Sequence, residues 1–157
     1  FVTSKVWSKP LPVDQYLINF KVVLISTERS LRSNCAISYR TKQQNVIDLC
    51  QEHIDTMSIN PMARAIVAHE LCHHKLKHLI FPSENEIDAF NDELDADLCA
   101  CRLLNTADDT DAIDSQVNYF LNKVRSSENP NYERRLINIQ QCELEKSNYS
   151  MEKKRDG

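Results

Sequence analysis

The fold of this chain is decided by the stretch Asn60-Pro61-Met62-Ala63-Arg64-Ala65-Ile66-Val67-Ala68-His69-Glu70-Leu71-Cys72-His73. Asn60 is a favoured N-cap, and Pro61 follows at the first helical position, where a missing N–H costs nothing. The pattern therefore predicts a helix from Pro61 that carries two histidines on or beside the face turned to the interior. The positions that recur at helical spacing are Met62, Ala65, Ile66, His69, His73, Leu76 and Ile80.

His69, Glu70 and His73 form the pattern His-Glu-x-x-His. Residues four apart lie one above the other on a helix, so both imidazoles can reach one zinc ion at about 2.0–2.1 Å. Glu70 is displaced around the helix and suits a general base that takes a proton from a zinc-bound water. The alternative is a pair of histidines on a solvated helix face. The helical context favours the zinc interpretation.

A third zinc ligand is expected from the next helix, because catalytic zinc sites use three protein ligands and one open position. Ser83 and Glu86 form a capping-box pattern, which predicts that this helix begins near residue 84. Its acids include Glu93 and Asp97, four residues apart on one face. Its predicted apolar stripe consists of Ile87, Phe90, Leu94, Leu98 and Cys101.

The sequence Glu93-Leu94-Asp95-Ala96-Asp97, placed after His-Glu-x-x-His, resembles the gluzincin metallopeptidases, in particular the M48 family. The resemblance implies one Zn²⁺ per chain, with the ligands His69, His73 and Glu93. It also implies that Glu70 is the catalytic base and that Asp97 holds the imidazole of His69. Metal-bound histidines usually donate their other N–H to a carboxylate, which agrees with that role. The alternative for Asp97 is a solvated acid on the helix surface.

The rest of the chain predicts one α+β domain over residues 1–157, mostly helical and zincin-like, with a small sheet or hairpin before the His-Glu-x-x-His helix. Apolar spacing predicts a helix from about 14 to 31, after a loose lead-in over residues 1–12. Segments 35–40 and 46–50 predict an antiparallel pair. In the resembled family a strand at this place pairs with substrate backbone; a purely structural strand is the alternative.

Two further helices are predicted downstream, one over residues 111–124 and one from Asn129-Pro130 to about residue 146. Residues 145–157 are charged and poor in apolar side chains, so we expect them to fray. The segment from Asn129 is similar to a family segment that begins His-Pro, and Asn129 stands in place of that histidine. Three nearby side chains are candidates to replace it in stabilising an oxyanion, namely Tyr132, Arg134 and Arg135.

Composition excludes several other classes of function. The net charge of −4 gives no basic face for nucleic acid. The single glycine disfavours a Gly-rich phosphate loop. No apolar run approaches the roughly 18 residues that cross a bilayer, so no membrane span is expected.

Six cysteines could form disulfides, but their spacing does not resemble a disulfide scaffold. Cys72, Cys99 and Cys101 fall in predicted helices, where small buried thiols need no further role. We therefore expect reduced thiols, which slightly favours a cytoplasmic protein without fixing the compartment. The remaining cysteines are Cys35, Cys50 and Cys142.

The sequence thus predicts a zinc-dependent endopeptidase acting on peptides or unfolded protein. Two alternatives stay open at this point. One is a repressor-cleaving peptidase resembling the cytosolic ImmA/IrrE family, which carries a similar pair of motifs. The other is a latent or non-hydrolytic domain in which zinc ties two helices together for an interaction.

Overall fold

The structure, a computed structural model, describes residues 12–156 and the side chains of residues 14–145. Over that range the chain is α+β and mainly helical, as predicted. The helices are α1 (Pro12–Asn19), α2 (Glu28–Leu31), α3 (Gln51–Thr56), α4 (Pro61–Lys75), α5 (Glu86–Thr106), α6 (Thr110–Ser126) and α7 (Pro130–Asp156). The strands are β1 (Val22–Ile25), β2 (Ala36–Arg40) and β3 (Asn45–Leu49).

The three strands form one sheet in the order β1-β3-β2. The central strand β3 is parallel to β1 and antiparallel to β2, which confirms the predicted pair. Ile47 and Leu49 of β3 are fully buried, because the central strand lies against the main core. Strand β2 is left at one edge, directly beside α4.

The predicted helix over residues 14–31 is wrong. The chain instead forms α1, then β1, then α2. Val22, Val23 and Ile25 favour a strand, because β-branched side chains pack well on the pleated surface of a sheet. Lys21 breaks the helix with a φ of 54°, and Thr27 caps α2. The pairing of β1 with β3 therefore outweighs the helical spacing of the apolar residues in this segment.

Helix α4 begins where the sequence predicts. The Asn60 side chain accepts hydrogen bonds from the N–H groups of Met62 and Ala63, at 3.1 and 3.3 Å. The predicted interior face holds only in part: Ala65 is buried, but Leu76 and Ile80 lie beyond the end of α4 at Lys75 and are 40% and 45% exposed. The side of α4 that is fully buried carries Ala63, Val67, Leu71 and Cys72. The histidine face is therefore turned to a cleft and not to the core.

The later helices match the prediction in order but differ at their ends. Helix α5 begins at Glu86 with Asn85 as its cap, so the predicted capping box at Ser83 does not start it. Ile87, expected in the apolar stripe, is 75% exposed. Helix α6 confirms the prediction for residues 111–124. Helix α7 runs to Asp156, so its predicted end near residue 146 is wrong, while the fraying expected for residues 145–157 stays a prediction.

Two predictions concern the chain ends and membrane spans. Of the predicted lead-in, residues 1–11 lie outside the described residues, and Pro12 already belongs to α1. Within residues 12–156, none of the helices is long and apolar enough to cross a membrane.

The expectation of reduced thiols is wrong, because all six cysteines are paired. The bridges are Cys35–Cys50, Cys72–Cys99 and Cys101–Cys142. Their partners lie 15 to 41 residues apart, a spacing that shows no motif until the helices are packed. The bridges tie the start of β2 to the end of β3, α4 to α5, and α5 to α7. Disulfides are rare in cytosolic proteins, so the reason for favouring the cytoplasm is removed.

Replacing Cys101 and Cys142 together with alanine is expected to lower the free energy of unfolding by about 2–4 kcal/mol, because the bridge restricts the unfolded chain. Urea unfolding under non-reducing conditions measures the change. Peptide mapping of the unmodified protein without reductant should recover the three bridged peptide pairs. Free thiols at these positions would contradict the pairing.

Candidate metal centre

Helices α4 and α5 bring the three predicted ligand side chains together. Nε2 of His69 lies 2.9 Å from Oε2 of Glu93, and Nε2 of His73 lies 3.1 Å from Nε2 of His69. Nε2 of His73 is 3.5 Å from Oε1 of Glu93. A tetrahedral ion with bonds of about 2.0–2.1 Å separates its ligand atoms by roughly 3.3 Å. The donor set and its spacing therefore fit one zinc ion.

A covalent link holds the two ligand-bearing helices in this register. Cys72 precedes His73 on α4, and its disulfide partner Cys99 lies on α5, the helix that carries Glu93. The ligand residues are partly buried, with the Glu93 side chain the most exposed of the three. The open side of the ligand set is thus the side that faces solvent in the cleft.

Asp97 fixes the orientation of His69. Its Oδ1 lies 2.8 Å from Nδ1 of His69, so that nitrogen donates and the other nitrogen is free to face Glu93. Arg135 from α7 donates to both Asp97 oxygens, at 2.7 and 3.0 Å. Asp97 is fully buried, so the alternative of a solvated surface acid is wrong. The arginine supplies the positive charge that a buried carboxylate needs.

Glu70 is held by a side chain that sequence reasoning missed. The hydroxyl of Ser38, on the edge strand β2, lies 2.6 Å from Oε2 of Glu70 and 3.1 Å from its backbone oxygen. This contact joins the strand to the helix at the predicted base. The only signal in the sequence was the place of Ser38 in a predicted strand, which does not reveal its partner.

Two openings border the predicted ligand set. A cavity of about 470 Å³ is lined on its polar side by His69, Glu70, Glu93 and Arg135. A second opening of about 300 Å³ is lined by Ser38, Glu70, His73 and Glu93. Glu70 and Glu93 border both openings, which together are called the cleft.

Asn129, which departs from the pattern of the resembled family, is not among the residues that line the cavity at the predicted ligands. Its Oδ1 accepts from the N–H of Asn131 at the exposed start of α7. Of its three candidate replacements, only Arg135 lines the cavity, and its Nη2 is 3.6 Å from Oε2 of Glu93. Arg134 instead stacks on Phe90, and Tyr132 packs against the second apolar cluster, around Phe120.

The end of α4 places a further histidine behind His73. Lys77 has a φ of 63°, and the N–H of His78 donates to the carbonyl of His73 at 3.0 Å. This is a Schellman turn, and it brings Nδ1 of His78 to 2.9 Å from Nδ1 of His73. The backbone of His78 therefore caps α4, and its ring lies against His73, one of the predicted ligands. His74 points away from the predicted ligands, towards the carbonyl of Val46.

The proton positions decide what His78 can do. His78, Asp92 and Asp95 lie close enough to form a second metal group, with Nε2 of His78 at 3.5 Å from Asp92. When Nε2 of His73 faces a metal, its Nδ1 carries the proton and donates to Nδ1 of His78. Nε2 of His78 then carries a proton and points to Asp92. The ring is therefore engaged as a support for His73 and has no lone pair left for a second ion.

In the metal-free site, the charges around His69 and Glu93 favour a proton at the place where a metal ion would bind. Burial lowers the pKa of His69, but hydrogen bonds to Asp97 and Glu93 outweigh it and raise that pKa to about 10. Burial raises the pKa of Glu93, but its hydrogen bonds to His69 and His73 hold it well below its usual range. A metal ion at this point takes the place of the shared proton.

No family model, no curated protein and no solved structure matches this chain. The resemblance to the M48 family accordingly remains an expectation based on two short motifs.

Substituting His78 by alanine is expected to weaken zinc binding about 10- to 100-fold, because His73 loses the group that orients its ring. Competition with a chromophoric chelator measures the dissociation constant directly. The matched control is His74→Ala, which removes a histidine from the same helix on the side away from the ligands. Equal zinc affinity for His78→Ala and the unmodified protein would contradict the orienting role.

In the metal-free protein, the contribution of this site to the free energy of unfolding is expected to be largest between about pH 4.5 and 6.5. Because the pKa of His69 is raised, its protonated form stabilises the folded state fully below the ordinary pKa of 6.5. That contribution is lost as the pH rises towards 10. Because the pKa of Glu93 is lowered, its ionised form stabilises the folded state fully above the ordinary pKa of 4.5. That contribution is lost in more acidic solution. Urea unfolding with a chelator across this range measures the profile.

The control for this profile is His69→Gln, which cannot bind the proton. It should flatten the alkaline side of the curve, while the remaining titrating groups are left in place. An alkaline slope of the same size in both proteins would show that His69 is not its source.

Proposed function

We propose that this chain is a zinc-dependent endopeptidase of the gluzincin type, with a zincin-like fold, that hydrolyses bonds in peptides or unfolded protein. The observation that carries the proposal is the meeting of three ligand atoms at 2.9–3.5 Å, with Glu70 beside them in an open cleft. A structural zinc site usually fills all four positions with protein ligands, often cysteines. Here the cysteines are in bridges, and the donor set stops at three among the described residues.

The zinc ligands in this proposal are His69, His73 and Glu93. Zn²⁺ bound there would supply Lewis acidity towards a water molecule and towards the substrate carbonyl. Glu70 takes the proton of the attacking water and delivers it to the leaving amine. The Ser38 hydroxyl keeps the Glu70 carboxylate turned to the cleft, so the base is positioned before substrate arrives.

Arg135 is the residue best placed to assist the carbonyl oxygen. Its guanidinium lines the cavity and lies close to Glu93, one of the ligands. Asp97 holds it through two hydrogen bonds, so its position does not depend on substrate. A fixed cation beside developing negative charge stabilises the transition state. Arg135 thereby offers the oxyanion-stabilising group that the chain lacks at Asn129.

Strand β2 supports the binding of an extended substrate. Hydrogen bonds from Cys50 to Cys35 and from Thr41 to Gln44 set the alternation along β2 and β3. That alternation turns the backbone groups of Ser38 away from β3, towards the open edge. Among the described residues no other strand covers this edge. A peptide can add there as a further strand, with its scissile bond beside Glu70.

Two observations weigh against the alternatives. Three disulfides do not suit a cytosolic regulator resembling the ImmA/IrrE family, because such bridges are rare in a reducing compartment. Asn129, in place of the histidine of the resembled family, favours a latent zinc domain. The presence of Arg135 in the cleft removes much of that reason.

Substituting Glu70 by glutamine is expected to lower peptide cleavage by about 100- to 10,000-fold, because the amide cannot accept the proton. Zinc should stay bound at one equivalent, since Glu70 is not in the ligand set. Cleavage of an unfolded protein, with and without chelator, provides the measurement. The matched control is Glu52→Gln, an exposed change on α3. Cleavage by Glu70→Gln near the rate of the unmodified protein would refute this assignment of the base.

A further inference from the structure

A buried amide forms part of the wall of the cleft. Gln116 on α6 is 4% exposed, and its Oε1 has no hydrogen-bond partner among the described residues. The residue lines the same cavity as His69 and Glu93. Residues three and four apart share one helix face, so Gln116, Tyr119 and Phe120 present a common surface to that cavity.

Packing alone does not explain a glutamine at this position. The other buried residues of α6 are apolar, namely Ala112, Ile113 and Phe120. A buried amide without a partner is less favourable than an apolar side chain of the same shape. Its oxygen and nitrogen exchange places by rotation about one bond, so the amide can present either an acceptor or a donor. Because Oε1 is buried, a hydrogen-bonding ligand in the cavity pairs with the amide once the side chain rotates towards the opening.

The surrounding wall restricts the chemistry of that ligand. Met62, Ala65, Ile66 and Phe120 make the neighbouring surface apolar. The charge of Arg135 is paired with Asp97 and, in the proposed function, faces the scissile carbonyl, so it is not free for a substrate side chain. The Glu70 and Glu93 carboxylates that line the cavity serve there as base and zinc ligand, so a charged side chain entering the cavity would lose its hydration without a free opposite charge to pair with.

We propose that Gln116 makes this cavity a side-chain pocket that selects one substrate residue with an uncharged hydrogen-bonding end. Serine, threonine, asparagine and glutamine have that chemistry. The selected residue lies next to the scissile bond, because the pocket is continuous with the ligand set. This inference rests on the proposed peptidase function and names its substrate preference.

The test compares matched peptides that differ at one position, threonine against valine and asparagine against leucine. In the unmodified protein kcat/KM should be at least roughly tenfold higher for the polar member, because the apolar one leaves the amide unpaired. Gln116→Met keeps the length of the side chain and removes its hydrogen bonds, so it should reverse the preference. The matched control is Gln140→Met, an exposed change on α7 that should keep it.

A binding measurement separates the pocket from the chemistry. Peptide hydroxamates carrying an asparagine or a leucine side chain are titrated into the zinc-loaded protein by calorimetry. Tighter binding of the asparagine compound, reversed in Gln116→Met, supports the pocket whatever the rate of hydrolysis. The unfolding temperature of Gln116→Met should not fall, since an unpaired amide is replaced by an apolar group.

Different failures have different meanings. If the unmodified protein cleaves peptides but does not distinguish threonine from valine, the pocket assignment is wrong and the peptidase proposal stands. If Gln116→Met folds and keeps the original preference in both assays, the assignment is likewise wrong. If neither hydrolysis nor hydroxamate binding occurs with zinc bound, the proposed function fails, and the pocket inference fails with it.

Discussion

The buried carboxylate of Asp97 is the constraint on which the rest of the site depends. It receives a hydrogen bond from His69 on α4 and two from Arg135 on α7, while it belongs to α5. A buried charge with only one of these partners would be costly, so the three helices have to be docked together before it is satisfied. The same contact orients a ligand and holds a cation in the cleft. Folding and preparation of the site are therefore one event.

The sequence predicted those parts of the site that follow from the geometry of one helix. His69 and His73 are adjacent on α4 because of their spacing, and the Asn60-Pro61 start fixed the helix that carries them. Glu93 and Asp97 were located by a motif on the next helix. Ser38, His78 and Gln116 were not assigned to the site, because their roles arise from contacts between elements. No periodicity along the chain records such contacts.

The errors in the fold have a common physical origin. Residues 14–31 have helical spacing, but β1 gains more by pairing with β3 than a longer helix would gain alone. The cysteines were read as isolated small apolar residues, whereas packing of α4, α5 and α7 brings them into pairs. In each case a tertiary partner, distant in sequence, decided between two locally acceptable states.

The bridge between Cys72 and Cys99 has a consequence for how the proposed zinc ion would be bound. In zinc fingers the metal organises the chain, so removal of the metal unfolds the domain. Here a covalent crosslink and the Asp97 contacts hold the two ligand-bearing helices beforehand. The predicted ligands are therefore held in place before a metal binds, and the free energy of metal binding is not needed to order the backbone. If the proposed function holds, chelation should remove activity reversibly, and the folded domain should recover it when zinc is added back.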